Sequence, residues 1–179
     1  FTAPGGVSAA RLQGPVTLSG PLSAPQVSWR LQTERPALGV APVDALLGDA
    51  VALSGRARWR GDASTLEVSQ FQIDAAAGRV SGSASVALEA RRWRVEARSP
   101  AFDPAALTDL VSGAAPVSVS AEGGFDGAVQ AEASFDGFAP AGALAGTLSA
   151  PLSGSAQIVR TAAGALRFDA ITLNSPEAR

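Results

Sequence analysis

The chain has 179 residues and a formal charge of -2, with 46% hydrophobic and 17% charged residues. So balanced a charge offers nucleic acid no basic footprint, and the chain is too apolar to stay disordered despite 19 Gly and 12 Pro. His, Cys, Tyr and Met are absent and every basic residue is Arg, which removes imidazole, thiolate, phenol and amine from any catalytic or metal-binding scheme.

The chain opens on Phe1 and has no Met, so it reads as a fragment of a larger protein, a single segment spanning 1–179. No apolar run reaches the roughly 18 residues of a transmembrane helix. Residues 1–100 carry 11 Arg against 8 acids, and residues 101–179 carry 3 Arg against 8 acids.

Strand-like alternation dominates from the start. "RLQGPVTLSG" (11–20) puts Leu12, Val16 and Leu18 on one side, and "QVSWRLQ" (26–32) does the same with Val27, Trp29 and Leu31. "APVDALLGD" (41–49) breaks the pattern with helical spacing. "VALSGRARWRG" (51–61) then sets Val51, Leu53 and Trp59 against Arg56, Arg58 and Arg60. In "TLEVSQFQID" (65–74) the apolar residues are Leu66 and Val68, then Phe71 and Ile73. Keeping both pairs on one face requires one extra residue, so a bulge is expected at Ser69–Gln70.

"RVSGSASVALE" (79–89) aligns Val86 and Leu88 opposite serines, and "RWRVEAR" (92–98) aligns Trp93 and Val95 against Arg92, Arg94 and Arg98. "FDPAALTDLVSG" (102–113) has a capping Asp103, Pro104 at the first helical position and Gly113 as a stop, and should form a second short helix of two or three turns. Such inserts would cap an end of the sheet. Alternation resumes with Val119 and Phe125 in "PVSVSAEGGFDG" (116–127) and Val129 and Phe135 in "AVQAEASFDG" (128–137). It continues through "GALAGTLSA" (142–150), "SGSAQIVR" (153–160) and "ALRFDAITL" (165–173). A weak internal repeat relates Leu66, Val68, Phe71 and Ile73 to Leu166, Phe168, Ile171 and Leu173 at an offset of 100.

Little else points to chemistry. Asp126 and Asp136 sit in "FDG" turns, where capping accounts for them. The glycine pairs at 5–6 and 123–124 lack the Lys of a phosphate loop, and no Asp-rich loop suits calcium. No catalytic residue, metal or cofactor is expected. The arginine combs suit a solvated outer face, or contact with anionic headgroups or an acidic partner. The apolar stripe would either fill a dry core or, in a sheet with unclosed edges, form a groove for acyl chains.

The pattern in "VALSGRARWRGDASTLEVSQFQIDAAAGRVSGSASVAL", with "LSGPLSAPQVSWRL" before it and "FDPAAL" after it, resembles the C-terminal region of the TamB and AsmA-like family of translocation and assembly proteins. The resemblance covers most of the chain. It implies an elongated, curved antiparallel sheet of the β-taco or solenoid type, with a hydrophobic groove and two short helices. It further implies a periplasmic location within a protein anchored in the inner membrane of a Gram-negative bacterium. The function implied is shielding of phospholipid acyl chains between inner and outer membrane, with an Omp85-type barrel as a partner through parts outside this segment. The groove would be lined by the fourteen residues from Val51 to Phe135 singled out above as groove candidates: Val51, Leu53, Trp59, Val68, Phe71, Ile73, Val86, Leu88, Trp93, Val95, Val119, Phe125, Val129 and Phe135. Two other readings are a chaperone-like module that aids outer-membrane protein or autotransporter assembly by β-augmentation, and a β-helical adhesin, which the single Asn and uneven spacing disfavour.

Overall fold

A computed structural model describes residues 11–37 and 41–176. The glycine pair 5–6 lies outside the described residues. The elements are β1 (Arg11–Gln13), β2 (Val16–Ser19), β3 (Gln26–Glu34), α1 (Ala41–Leu47), β4 (Ala50–Arg60), β5 (Thr65–Ala75), β6 (Gly78–Ala87), β7 (Arg92–Phe102), β8 (Val111–Ser112), β9 (Ala115–Gly124), β10 (Val129–Pro140), β11 (Leu152–Arg160) and β12 (Leu166–Asn174).

All twelve strands belong to one antiparallel, curved and unclosed sheet. The order is β1, β3, β4, β5, β6, β7, β9, β10, β11, β12; β2 shares the β3 edge with β1, and β8 pairs the far end of β10. Nearly every strand therefore lies beside its predecessor, as short connections dictate. The long connections all fall at one end, which they share with the two-residue β5–β6 turn at 76–77. One end carries the tight turns at 61–64, 88–91, 125–128 and 161–165. The other carries α1, the 103–114 segment between β7 and β9, and the 141–151 segment between β10 and β11.

Residues 41–47 are helical, as their spacing predicts. The C-terminus of α1 is tied to the β5–β6 turn, where Ala76 and Ala77 donate to the carbonyls of Leu47 and Leu46. The second expected helix does not form. Asp103 does cap, accepting from Ala105 N–H at 2.9 Å, but the chain makes one turn through Pro104–Leu107. Val111 and Ser112 then pair with Pro140 and Ala139. Sheet hydrogen bonds to β10 take the residues that would have extended the helix. The expected strand over 142–150 is likewise absent. A 3-10 turn at Gly142–Leu144 opens a turn-rich crossing there, and alternation in so Gly- and Ala-rich a segment has too few large side chains to define a face.

The bulge at Ser69–Gln70 is present. Val68 and Phe71 face Ala84 and Gly82 of β6, and Val68 and Gln70 face Ala57 and Arg56 of β4, so β5 holds one extra residue against both neighbours. Strand β12 has the same irregularity, with Phe168 and Ala170 opposite Ile158 and Gln157.

Candidate functional site

Register fixes which side chains share a face, because cross-strand partners point the same way. One row crosses the sheet as Leu18, Val27, Ala57, Val68, Ala84, Val95, Ala121, Ala131, Ile158 and Phe168. The next runs Val16, Trp29, Gly55, Phe71, Gly82, Ala97, Val119, Ala133, Ala156 and Ile171. Neither row contains a polar side chain from β2 to β12. The opposite face is their negative. There one row reads Arg30, Ser54, Gln72, Ser81, Arg98, Ser118, Ser134, Ser155 and Thr172. Hydroxyl contacts such as Ser118–Ser134 (2.7 Å) and Ser155–Thr172 (2.8 Å) link its neighbours.

Twelve of the fourteen expected lining residues occupy strand positions on the apolar face. Leu88 and Phe125 fall instead in the tight turns after β6 and β9. Sequence reasoning left out Trp29, Leu31, Leu152, Ile158 and all of β12. The same alternation marks most of them, and the repeat marks Leu166, Phe168, Ile171 and Leu173.

Aromatic rings compensate for missing side chains on this face. Trp29 is opposite Gly55, Phe71 opposite Gly82, Trp93 opposite Gly123 and Phe135 opposite Gly154. A Cβ on Gly82 would sit 2.8 Å from Phe71 Cζ, one on Gly123 would sit 2.8 Å from Trp93 Cζ2, and one on Gly154 would sit 2.9 Å from Phe135 Cζ. Gly55 is closer still to the Trp29 ring. Each ring covers the bare backbone beside it, which keeps the face apolar without a second layer of side chains.

Burial is graded along the strands. At the long-connection end Ala115, Phe138 and Leu152 are buried, with Phe102, Val111, Val117, Phe135 and Leu148 packed around them. Val51 and Ala77 are buried at the same end of β4 and β5–β6. Among the described residues, Ala57 is the sole buried apolar side chain outside this region. Toward the tight-turn end Trp59, Val86, Trp93 and Val129 are half-buried, and Leu66, Leu88 and Phe125 are exposed. The apolar rows are also exposed at both edges, at Val16 and Leu18 of β2 and throughout β12.

The tight-turn end is the basic one. Arg60, Arg91, Arg92 and Arg160 stand beside Trp59, Trp93 and Phe125 at the strand termini. A depression of about 670 Å³ there is lined by Arg91, Arg92, Arg94 and Arg160 together with Glu122 and Asp126. Arg60 pairs with Glu67 at 3.2 Å, Arg94 with Glu96 at 3.0 Å, and Arg160 donates to the Gly127 carbonyl. No described carboxylate pairs with Arg91 or Arg92. Asp126 is a turn residue, accepting from Ala128 N–H at 3.1 Å. On the polar face at the other end, Arg79 and Gln72 donate to Asp74 and hold its carboxyl below the ordinary carboxylate range.

Among the described residues no group of three or more His, Cys, Asp or Glu is placed to hold a metal, and no helix is long and apolar enough to cross a membrane. Comparison with protein-family models, with curated proteins and with solved structures gives no match.

Proposed function

We propose that the apolar face is a passive surface for lipid acyl chains, with the headgroups toward the arginine-bearing tight-turn end. In this reading the segment belongs to a periplasmic protein that shields phospholipids on their way between two membranes. The observation that carries it is the pair of rows that cross ten strands without a polar side chain while staying half-buried or exposed over most of their length. A stable monomer ordinarily tolerates only a few hundred Å² of contiguous exposed apolar surface, so a surface of this extent suits a guest. Acyl chains suit it because they ask for apolar area and no directional bonds. Arg91, in the turn between β6 and β7 and without a carboxylate partner among the described residues, suits an anionic headgroup.

Lipid extracted from the purified protein and identified by mass spectrometry tests this reading. Leu66 and Val119 are each 38% exposed, so an arginine at either position is compatible with the fold. The variants Leu66→Arg and Val119→Arg should keep the unfolding transition of the parent and lose most of the co-purifying lipid. A parent protein free of lipid, or variants that unfold while lipid content is unchanged, would contradict the reading.

A further inference from the structure

Register puts one charge on the apolar face. A third row, at the tight-turn end, runs from Val86 through Trp93, Gly123 and Val129 to Arg160, and then to Leu166. Along β11, Arg160 shares its side of the sheet with Ala156 and Ile158, which belong to the two apolar rows. Strand β11 is an interior strand, with β10 on one side and β12 on the other. Among the described residues paired across strands, no other charge falls on this face.

The other arginines of the basic end are placed differently. Arg92 is in line with Ala87 and Gly124, and Arg94 with Ser85 and Glu122, so both belong to the polar face. Arg91 lies in the turn between β6 and β7. Arg160 is exposed, and no described carboxylate pairs with it. One of its N–H groups is taken, since Nη1 donates to the Gly127 carbonyl at 3.2 Å. Its cross-strand partners, Val129 and Leu166, offer no acceptor to the others. The rest of the guanidinium fork must find its acceptors in water or in a guest.

We infer that Arg160 holds the phosphate of a lipid whose acyl chains lie on the apolar face, and thereby selects phospholipids over neutral acyl lipids. The inference rests on the acyl-binding reading proposed above and assigns it a headgroup contact. A guanidinium matches phosphate oxygens in a two-pronged geometry. The surroundings specify an amphiphile, because the cation is flanked by Val129 and Leu166 and stands one row beyond Ile158. A phospholipid joins its phosphate to its chains through glycerol, so its charge begins where its apolar part stops. Free phosphate would gain nothing from such neighbours.

Tryptophan quenching by brominated phosphatidylglycerol and by brominated diacylglycerol, each titrated into the whole protein, tests it. Trp93 reports from the row of Arg160 itself. The protein should bind the phospholipid at least about tenfold more tightly than the neutral lipid. Arg160→Gln should weaken phospholipid binding about tenfold and leave diacylglycerol binding unchanged. Arg160→Lys, which keeps the charge and loses the fork, should fall between the two. Inorganic phosphate at about 1 mM should not displace the phospholipid. Equal affinity for the two lipids, or a preference that survives in Arg160→Gln, overturns the inference and leaves the acyl-binding reading standing. Displacement by phosphate would make Arg160 a site for the free ion and overturns it too. Quenching by neither lipid removes the acyl-binding reading, and this inference with it.

Discussion

Glycine is poorly suited to strand interiors because it contributes no packing and costs backbone entropy. Here Gly55, Gly82, Gly123 and Gly154 each lie beneath an aromatic ring from the adjacent strand. Ring and glycine form one packing unit. The unit recurs between β3 and β4, β5 and β6, β7 and β9, and β10 and β11. Placing a methyl group at Gly82 would force it against Phe71 Cζ and the Glu96 carbonyl. Gly82→Ala should therefore destabilise the fold by about 1–3 kcal/mol, the usual cost of overpacking, as read from urea unfolding. An equal or higher midpoint for the variant would show that the ring moves aside freely. The sequence offers the glycines and aromatics separately, and nothing in their spacing of 11 to 30 residues pairs them. Register does that.

The strands themselves were legible because alternation is their own signal. The phase change between Val68 and Phe71 announced the bulge that β4 and β6 both record. That bulge has a consequence that separates it from its surroundings. Deleting Ser69 would convert β5 into a regular strand with Leu66, Val68, Phe71 and Ile73 still on one face. The deletion should shift stability by less than about 1 kcal/mol. Deleting Ser54 from the regular strand β4 would turn Val51 and Leu53, or Ala57 and Trp59, to the polar face. The loss should be about 3 kcal/mol or more, since full burial of such side chains is worth about 1.5–3 kcal/mol each. Thermal and urea unfolding of the two deletions checks the contrast, and similar losses for both would contradict it. The 102–113 segment was misread for the opposite reason. Its capping signals are real and Asp103 uses them, but propensity over so short a helix yields to two residues of sheet pairing with β10.

Over the molecule as a whole, the apolar stripe could be read from sequence and its accessibility could not. A dry core and an exposed face demand the same alternation. What distinguishes them is where the long connections fall, and these gather at one end, around Ala115, Phe138 and Leu152. Apart from Ala57, the stripe's buried side chains among the described residues lie at that end. The remainder passes through half-buried rows to exposed residues at the tight turns and at both sheet edges. Arginines of the β6–β7 turn, β7 and β11 line one depression at the tight-turn end although they are far apart in sequence.

The three tryptophans, Trp29, Trp59 and Trp93, all lie on the apolar face, so the protein carries its own reporters. Tryptophan emission measured while phospholipid with brominated acyl chains is added reads contact between this face and lipid. A saturable loss of emission, absent with the unbrominated lipid and abolished in Val119→Arg, is the outcome expected of an acyl-binding face. Unchanged emission at saturating lipid would mean that acyl chains do not reach it, and the proposed function would fall.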